Sequence, residues 1–304
     1  MIPRFLLAAA MLPLAACATG RTGDTATAIE APRPAFASER IGVAVRGSGP
    51  EVVLIPGLSS SPAVWDSTIA ALPGYRYHVV HVSGFAGRGP GANGSGPVVD
   101  AVGEEIARYI REAGLDRPAI VGHSLGGTWA MIVASRHPEL VSRAMIVDML
   151  PAMGAMLGGP NATAETLRPV AEQFRRAIAG GTGDVRRQTT EQTIATMVRT
   201  SSLRAAAFDA SMASDATVSG QAMYDLILAD LRPALRDIRV PLTVLWVRAP
   251  NAPVTEAQMA GFYTMSYANA PHARIVRIPN AYHFIMWDEP EAFQRELRAF
   301  LTAG

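Results

Sequence analysis

The run Gly122-His123-Ser124-Leu125-Gly126-Gly127 stands between a continuous apolar stretch at 119–122 and an apolar helical pattern at 126–137. A strand that passes into a helix through so few residues turns too tightly for bulky flanking side chains, and glycines two positions either side of Ser124 remove the collision. The turn exposes the serine hydroxyl and leaves the Leu125 N–H at a helix start, where it can donate to a developing negative charge. Around this unit the chain keeps the same rhythm. Short β-rich runs at 41–46, 52–55, 77–82, 119–122, 144–147, 242–247 and 274–278 alternate with helical patterns at 62–71, 98–113, 126–137, 255–268 and 291–301. Such alternation predicts an α/β fold with a mostly parallel central sheet, and the near-continuous apolar runs predict helices on both of its faces.

The rhythm lapses between Met149 and Asp237, where helical patterns are joined by glycine-rich links such as Gly158-Gly159-Pro160. Residues 149–237 are therefore expected to form a helical cap inserted into a core made of 38–148 and 238–304. Its methionines, among them Met149, Met153, Met156 and Met197, suit either an adaptable apolar pocket wall or ordinary helix packing.

A serine hydroxyl is a weak nucleophile at neutral pH, so chemistry at Ser124 needs a base that takes its proton and later returns it. Histidine suits both steps. Of the six histidines, His283 follows the last predicted strand, in Ile278-Pro279-Asn280-Ala281-Tyr282-His283-Phe284. His123 adjoins Ser124, but neighbours on a sharp turn point apart, so it is read as a loop or pocket residue.

From about Arg40 to the C-terminus the chain resembles the α/β-hydrolase superfamily, most weakly in the cap. The resemblance rests on the turn around Ser124, on Val53-Leu54-Ile55-Pro56-Gly57-Leu58, and on the histidine segment followed by Asp288-Glu289-Pro290-Glu291-Ala292-Phe293. It implies a serine hydrolase with Ser124 as nucleophile, His283 as general base, and the backbone amides of Leu58 and Leu125 as oxyanion donors. Pro56 stands where the family often has histidine, and Tyr282 where it often has glycine. The third member departs furthest. Where the family usually places an aspartate after the penultimate strand, this chain reads Val247-Arg248-Ala249-Pro250-Asn251, with no carboxylate before Glu256. Asp148, 24 positions after Ser124 and at the end of the next predicted strand, is the expected acid. Neighbouring parallel strands end on one edge of a sheet, so the geometry allows it. The competing role for Asp148 is a hinge or capping residue of the cap.

The resemblance implies cleavage of a small or medium acyl compound, most simply a carboxylic ester, through an acyl-enzyme. Two alternatives stay open: an amidase or aminopeptidase of the proline-iminopeptidase kind, with Glu165, Glu172 or Glu191 holding a substrate ammonium, and a non-catalytic binding lipoprotein on the same fold. No cofactor is called for. Neither His-x-x-x-His nor His-Glu-x-x-His occurs in the sequence. The glycine-rich Gly84-Phe85-Ala86-Gly87-Arg88-Gly89-Pro90-Gly91 lacks the Lys-Ser/Thr of a phosphate loop, which leaves a loop at the mouth of the site.

At the N-terminus, Arg4 precedes an apolar stretch too short to span a bilayer, the pattern of a secretory signal. Leu14-Ala15-Ala16-Cys17 resembles the lipobox of bacterial lipoproteins, and Cys17 is the only cysteine. Residues 1–16 are thus expected to be a removable signal peptide, with Cys17 lipidated and 17–37 a flexible tether holding the domain at a membrane of the cell envelope. Ala18 points to the outer membrane, if the source is Gram-negative. The 27 basic residues are all arginine and are scattered among 26 acids, which gives nucleic-acid binding no support.

Overall fold

The computed structural model describes residues 36–248, 252 and 254–303. The signal peptide and most of the tether, Cys17 included, lie outside the described residues, as does Asn251.

The described residues build one seven-stranded sheet from β1 (Ile41–Gly47), β2 (Glu51–Ile55), β3 (Arg76–Val82), β4 (Ala119–His123), β5 (Arg143–Val147), β6 (Leu242–Trp246) and β7 (Arg274–Arg277). The spatial order is β1-β3-β2-β4-β5-β6-β7. Only β1 runs antiparallel to its neighbour. The predicted strands hold to within about a residue, because the central ones, β2, β4, β5 and β6, are buried and mostly apolar and so mark their own ends where polar turns begin.

The helices are α1 (Asp66–Ala71), α2 (Val99–Glu112), α3 (Leu125–Arg136), α4 (Ala155–Gly158), α5 (Ala164–Ala179), α6 (Gly183–Met197), α7 (Arg204–Met212), α8 (Ala216–Leu228), α9 (Glu256–Ser266), α10 (Ile285–Asp288) and α11 (Pro290–Thr302). The pattern at 62–71 divides into a 3₁₀ turn, Pro62–Trp65, and α1. Pro62, which has no N–H to lose at a helix start, follows the Ser61 cap and opens this tighter turn. One face of the sheet packs on α2, α3 and α9. Val99, Val102, Ile106 and Ile110 form the stripe that α2 buries there, each contributing about 1.5–3 kcal/mol. The other face packs on the 3₁₀ turn and α11 through Trp65, Phe293 and Leu297.

Between β5 and β6 lies the inserted helical region, α4 to α8. Among its methionines, Met149 is buried in the core and Met156 is 55% exposed, so they do not share one wall. Three contacts tie the insertion down. The Asp225 carboxylate of α8 accepts from Val98 N (2.6 Å) and Val99 N (3.2 Å) and so caps α2 from a distance. Asp215 N donates to Gly84 O (2.7 Å) and Ala86 N to Ser214 Oγ (2.8 Å), which seats the glycine-rich loop against the start of α8. At the two ends of the insertion, Leu231 N donates to Pro151 O at 2.8 Å.

Candidate active site

Ser124 sits between β4 and α3 with φ 54° and ψ −126°, a strained conformation for a residue with a side chain. Surrounding backbone enforces it. A Cβ on Gly122 would lie 2.0 Å from Gly126 O, and one on Gly126 would lie 2.3 Å from Ile55 O, so only glycine fits at either position. Ser124 N donates to Val147 O (2.9 Å), which locks the turn to the end of β5 one residue before Asp148. The Leu125 N–H belongs to the first turn of α3, where a helix leaves its amides without internal partners. The turn after β2 approaches closely as well: a Cβ on Gly57 would lie 2.9 Å from Ser124 Cβ. That places Leu58, the next residue, beside the serine. Ser59, also left-handed at φ 55°, is tied to the cap by its hydroxyl, 2.8 Å from Ser219 Oγ.

Asp148 also has a left-handed backbone (φ 52°), which aspartate tolerates better than most residues. Its Oδ2 accepts from His283 Nδ1 at 2.6 Å. Its Oδ1 accepts from Val247 N (3.1 Å) and from the Tyr263 hydroxyl (3.0 Å). The carboxylate is thus held on both oxygens and is 11% exposed. With Nδ1 donating to the carboxylate, the imidazole carries its lone pair on Nε2, the tautomer that can accept a proton there.

The loop bearing His283 is fixed from three sides. Tyr282 N donates to the buried Asp288 (2.9 Å), whose carboxylate also accepts from Arg199 N and Thr200 N of the insertion. Phe284 N donates to Met197 O (3.2 Å). His123 Nε2 donates to His283 O (3.0 Å). His123 is therefore neither a loop nor a pocket residue: it ends β4 fully buried, because the strand continues one residue further toward the serine than the apolar pattern suggests. Burial, with the nearby His283 charge, holds its pKa well below the usual histidine value, so it stays neutral and keeps this donor.

Sequence order brings Ser124, Asp148 and His283 to one edge of the sheet, together with Gly57 and Leu58. It gives no notice of Tyr263, nor of the parts that His123 and Asp288 play in holding the histidine loop. Glu256, the first carboxylate after β6, pairs instead with Arg277 at 2.8 Å on the surface. A cavity of about 290 Å³ lies between the turn after β2, α7 and α10, lined among others by Ser60, Val64, Ala207, Asp209, Phe284 and Trp287 and by neither Ser124 nor His283. A larger groove of about 900 Å³ lies at the opposite edge, where Glu51, Arg76, Ala119 and Arg143 begin their strands, and so is remote from Ser124.

A serine on a strained strand-to-helix turn, at the same C-terminal edge of a parallel sheet as a carboxylate-bound histidine, fits a hydrolase of the α/β class. Residues 52–296 match the Alpha/beta hydrolase family, and the chain belongs to it. Among curated proteins it is 28% identical to a pimeloyl-[acyl-carrier protein] methyl ester esterase of Pectobacterium carotovorum, over 83% of this chain and 94% of that one. It is 25% identical to a 2-(acetamidomethylene)succinate hydrolase of Mesorhizobium japonicum, over 86% and 92%. Among solved structures, an esterase from Exiguobacterium antarcticum superposes with a TM-score of 0.70 at 19% identity, covering 86% of this chain and 96% of that one. An enol-lactonase from Burkholderia xenovorans gives 0.68 at 18%, with the same coverage.

Proposed function

We propose that this protein hydrolyses a carboxylic ester of a small or medium acyl group through an acyl-enzyme. The observation that carries the reading is the His283–Asp148 hydrogen bond set at the same sheet edge as the strained Ser124. In this mechanism Ser124 Oγ attacks the carbonyl while His283 Nε2 takes its proton, and His283 then returns the proton to the leaving alkoxide. Water repeats the sequence to release the acid. The Leu58 and Leu125 amides bind the oxyanion, an interaction whose loss costs comparable enzymes about 3 kcal/mol. Asp148 steadies the imidazole tautomer and the transient imidazolium without taking the proton. The likeness to a methyl ester esterase supports an ester. The aminopeptidase reading gains nothing from the three cap carboxylates: Glu172 binds Arg175 at 2.8 Å, and Glu165 and Glu191 are exposed on α5 and α6.

A fluorophosphonate probe is expected to label wild-type protein at Ser124, and p-nitrophenyl esters to be cleaved faster as acetate or butyrate than as decanoate. Folded protein that neither labels nor cleaves any ester of the series sinks this reading.

The second part of the proposal is that Cys17 carries a lipid anchor that holds the domain at the cell envelope, on the strength of the Leu14-Ala15-Ala16-Cys17 pattern. Cys17→Ser should leave esterase activity intact and move the protein from the membrane fraction to the soluble one. Unchanged membrane association rules the anchor out.

A further inference from the structure

We infer that Tyr263 is a positioning residue of the triad, a hydrogen-bond donor on α9 that fixes the Asp148 carboxylate for His283. The role rests on the proposed serine hydrolase reading and extends it to a residue that touches neither substrate nor the serine. Position sets the demand. An acid at the end of β5 must be aimed across the end of β6 toward the histidine loop, and a carboxylate bonded through one oxygen alone can swing about its side-chain torsions. Here the segment after β6, which supplies no acid before Glu256, supplies donors: the Val247 amide at 3.1 Å and, from the helix that follows, the Tyr263 hydroxyl at 3.0 Å, both to Oδ1. Oδ2 is left to His283 at 2.6 Å.

The tyrosine is built to hold that aim. Its ring stacks on Trp246, the last residue of β6, with centroids 5.2 Å apart, and runs parallel to the Tyr267 ring at 6.5 Å. The side chain is buried, and burial together with the Asp148 charge holds its phenol well above 10.0, so it remains a donor across the working pH range. Tyr267, one turn further along, directs its hydroxyl to Met149 O at 2.7 Å instead. The two tyrosines therefore share burial and stacking and differ in whether they touch the carboxylate.

Fluorophosphonate labelling of Ser124 as a function of pH tests the role without needing the natural substrate, since its acid limb reports protonation of His283 in the free protein. Other titratable groups packed near the His283–Asp148 pair are His123 from β4, its ring 4.7 Å from that of His283, Tyr267 just past the end of α9, and Asp288 of α10, whose carboxylate accepts from the Tyr282 amide beside His283. Burial keeps His123 and Tyr267 neutral over the range assayed, and all three groups are unchanged between wild type and Tyr263→Phe. Removing the Tyr263 hydroxyl leaves more negative charge on Asp148, which favours the imidazolium. Tyr263→Phe should accordingly move the acid limb upward by about 0.5–1 pH unit. The carboxylate also loses its aim, so the plateau rate should fall about fivefold to tenfold, an effect of imperfect positioning. Tyr267→Phe should leave the limb where it is.

Should Tyr263→Phe fail to fold, 3-fluorotyrosine at position 263 keeps the shape and strengthens the donor, and the limb should then move downward. An unmoved limb with a plateau within twofold of wild type, in Tyr263→Phe or in the fluorinated protein, overturns the role of Tyr263 alone. A wild type that takes no label at Ser124 overturns the hydrolase reading and this role with it.

Discussion

Ser124→Ala and His283→Ala are each expected to lower kcat for a good ester by about 10⁶-fold, because the members of a triad act as a unit and losing either one forfeits most of what the set provides. The two differ in their structural cost. Ser124→Ala removes a hydroxyl while leaving the glycines and the Val147 hydrogen bond that hold the turn, so thermal unfolding should stay within a few degrees of wild type. His283→Ala removes a ring packed against His123 and Phe284 and leaves Asp148 without its Oδ2 partner, so a loss of about 1–3 kcal/mol in stability should accompany the lost turnover. Steady-state kinetics with thermal melts on the same preparations separate the two effects. Near-wild-type turnover in either folded variant removes that residue from the triad.

Asp148→Asn should lower kcat by about 10⁴-fold, the effect seen in a comparable triad when the acid becomes an amide and the imidazole turns to the wrong tautomer. The amide can still accept at one oxygen from Val247 N and Tyr263, but it then presents an NH₂ to His283 Nδ1, which must surrender its own proton to accept. Glu256→Gln is expected to stay within twofold of wild type, since Glu256 pairs with Arg277 on the surface. Asn251→Ala should behave likewise. A folded Asp148→Asn protein within tenfold of wild type would make the carboxylate a structural residue, and a collapse in Glu256→Gln would move the acid there.

These effects bear on what a sequence of this kind discloses. The central strands could be placed because helices cover both faces of the sheet and leave β2, β4, β5 and β6 mostly apolar. The turn at Ser124 could be placed because its glycines answer to contacts as short as 2.0 Å, which admit no other residue. Asp148 was reachable through the family resemblance, which calls for an acid that the segment after β6 does not supply before Glu256. Tyr263 was not. Met259, Tyr263 and Tyr267 recur at four-residue spacing, which reads as one buried helix face, and nothing in that pattern tells the hydroxyl that meets a carboxylate from the one that meets a carbonyl. Asp288 was hidden for a related reason. Its partners are backbone amides of Tyr282, Arg199 and Thr200, and backbone amides leave no trace in residue identity. The Cys17 pattern lies outside the described residues, so its reading rests on sequence alone.

The hydrogen bond from Leu231 to Pro151 has a consequence for how such a chain can change over generations. The polypeptide leaves the core and returns to it within 2.8 Å, so to the sheet the whole helical insertion is a closed loop. Closing a loop depends only weakly on its length, with each doubling adding about 0.6 kcal/mol. Helices between those two residues can be lengthened or trimmed at little entropic cost, so long as Asp225 still caps α2 and Met197, Arg199 and Thr200 still hold the histidine loop. The insertion is therefore free to diverge between those anchors, while Ser124 and Asp148 stay where the ends of β4 and β5 hold them.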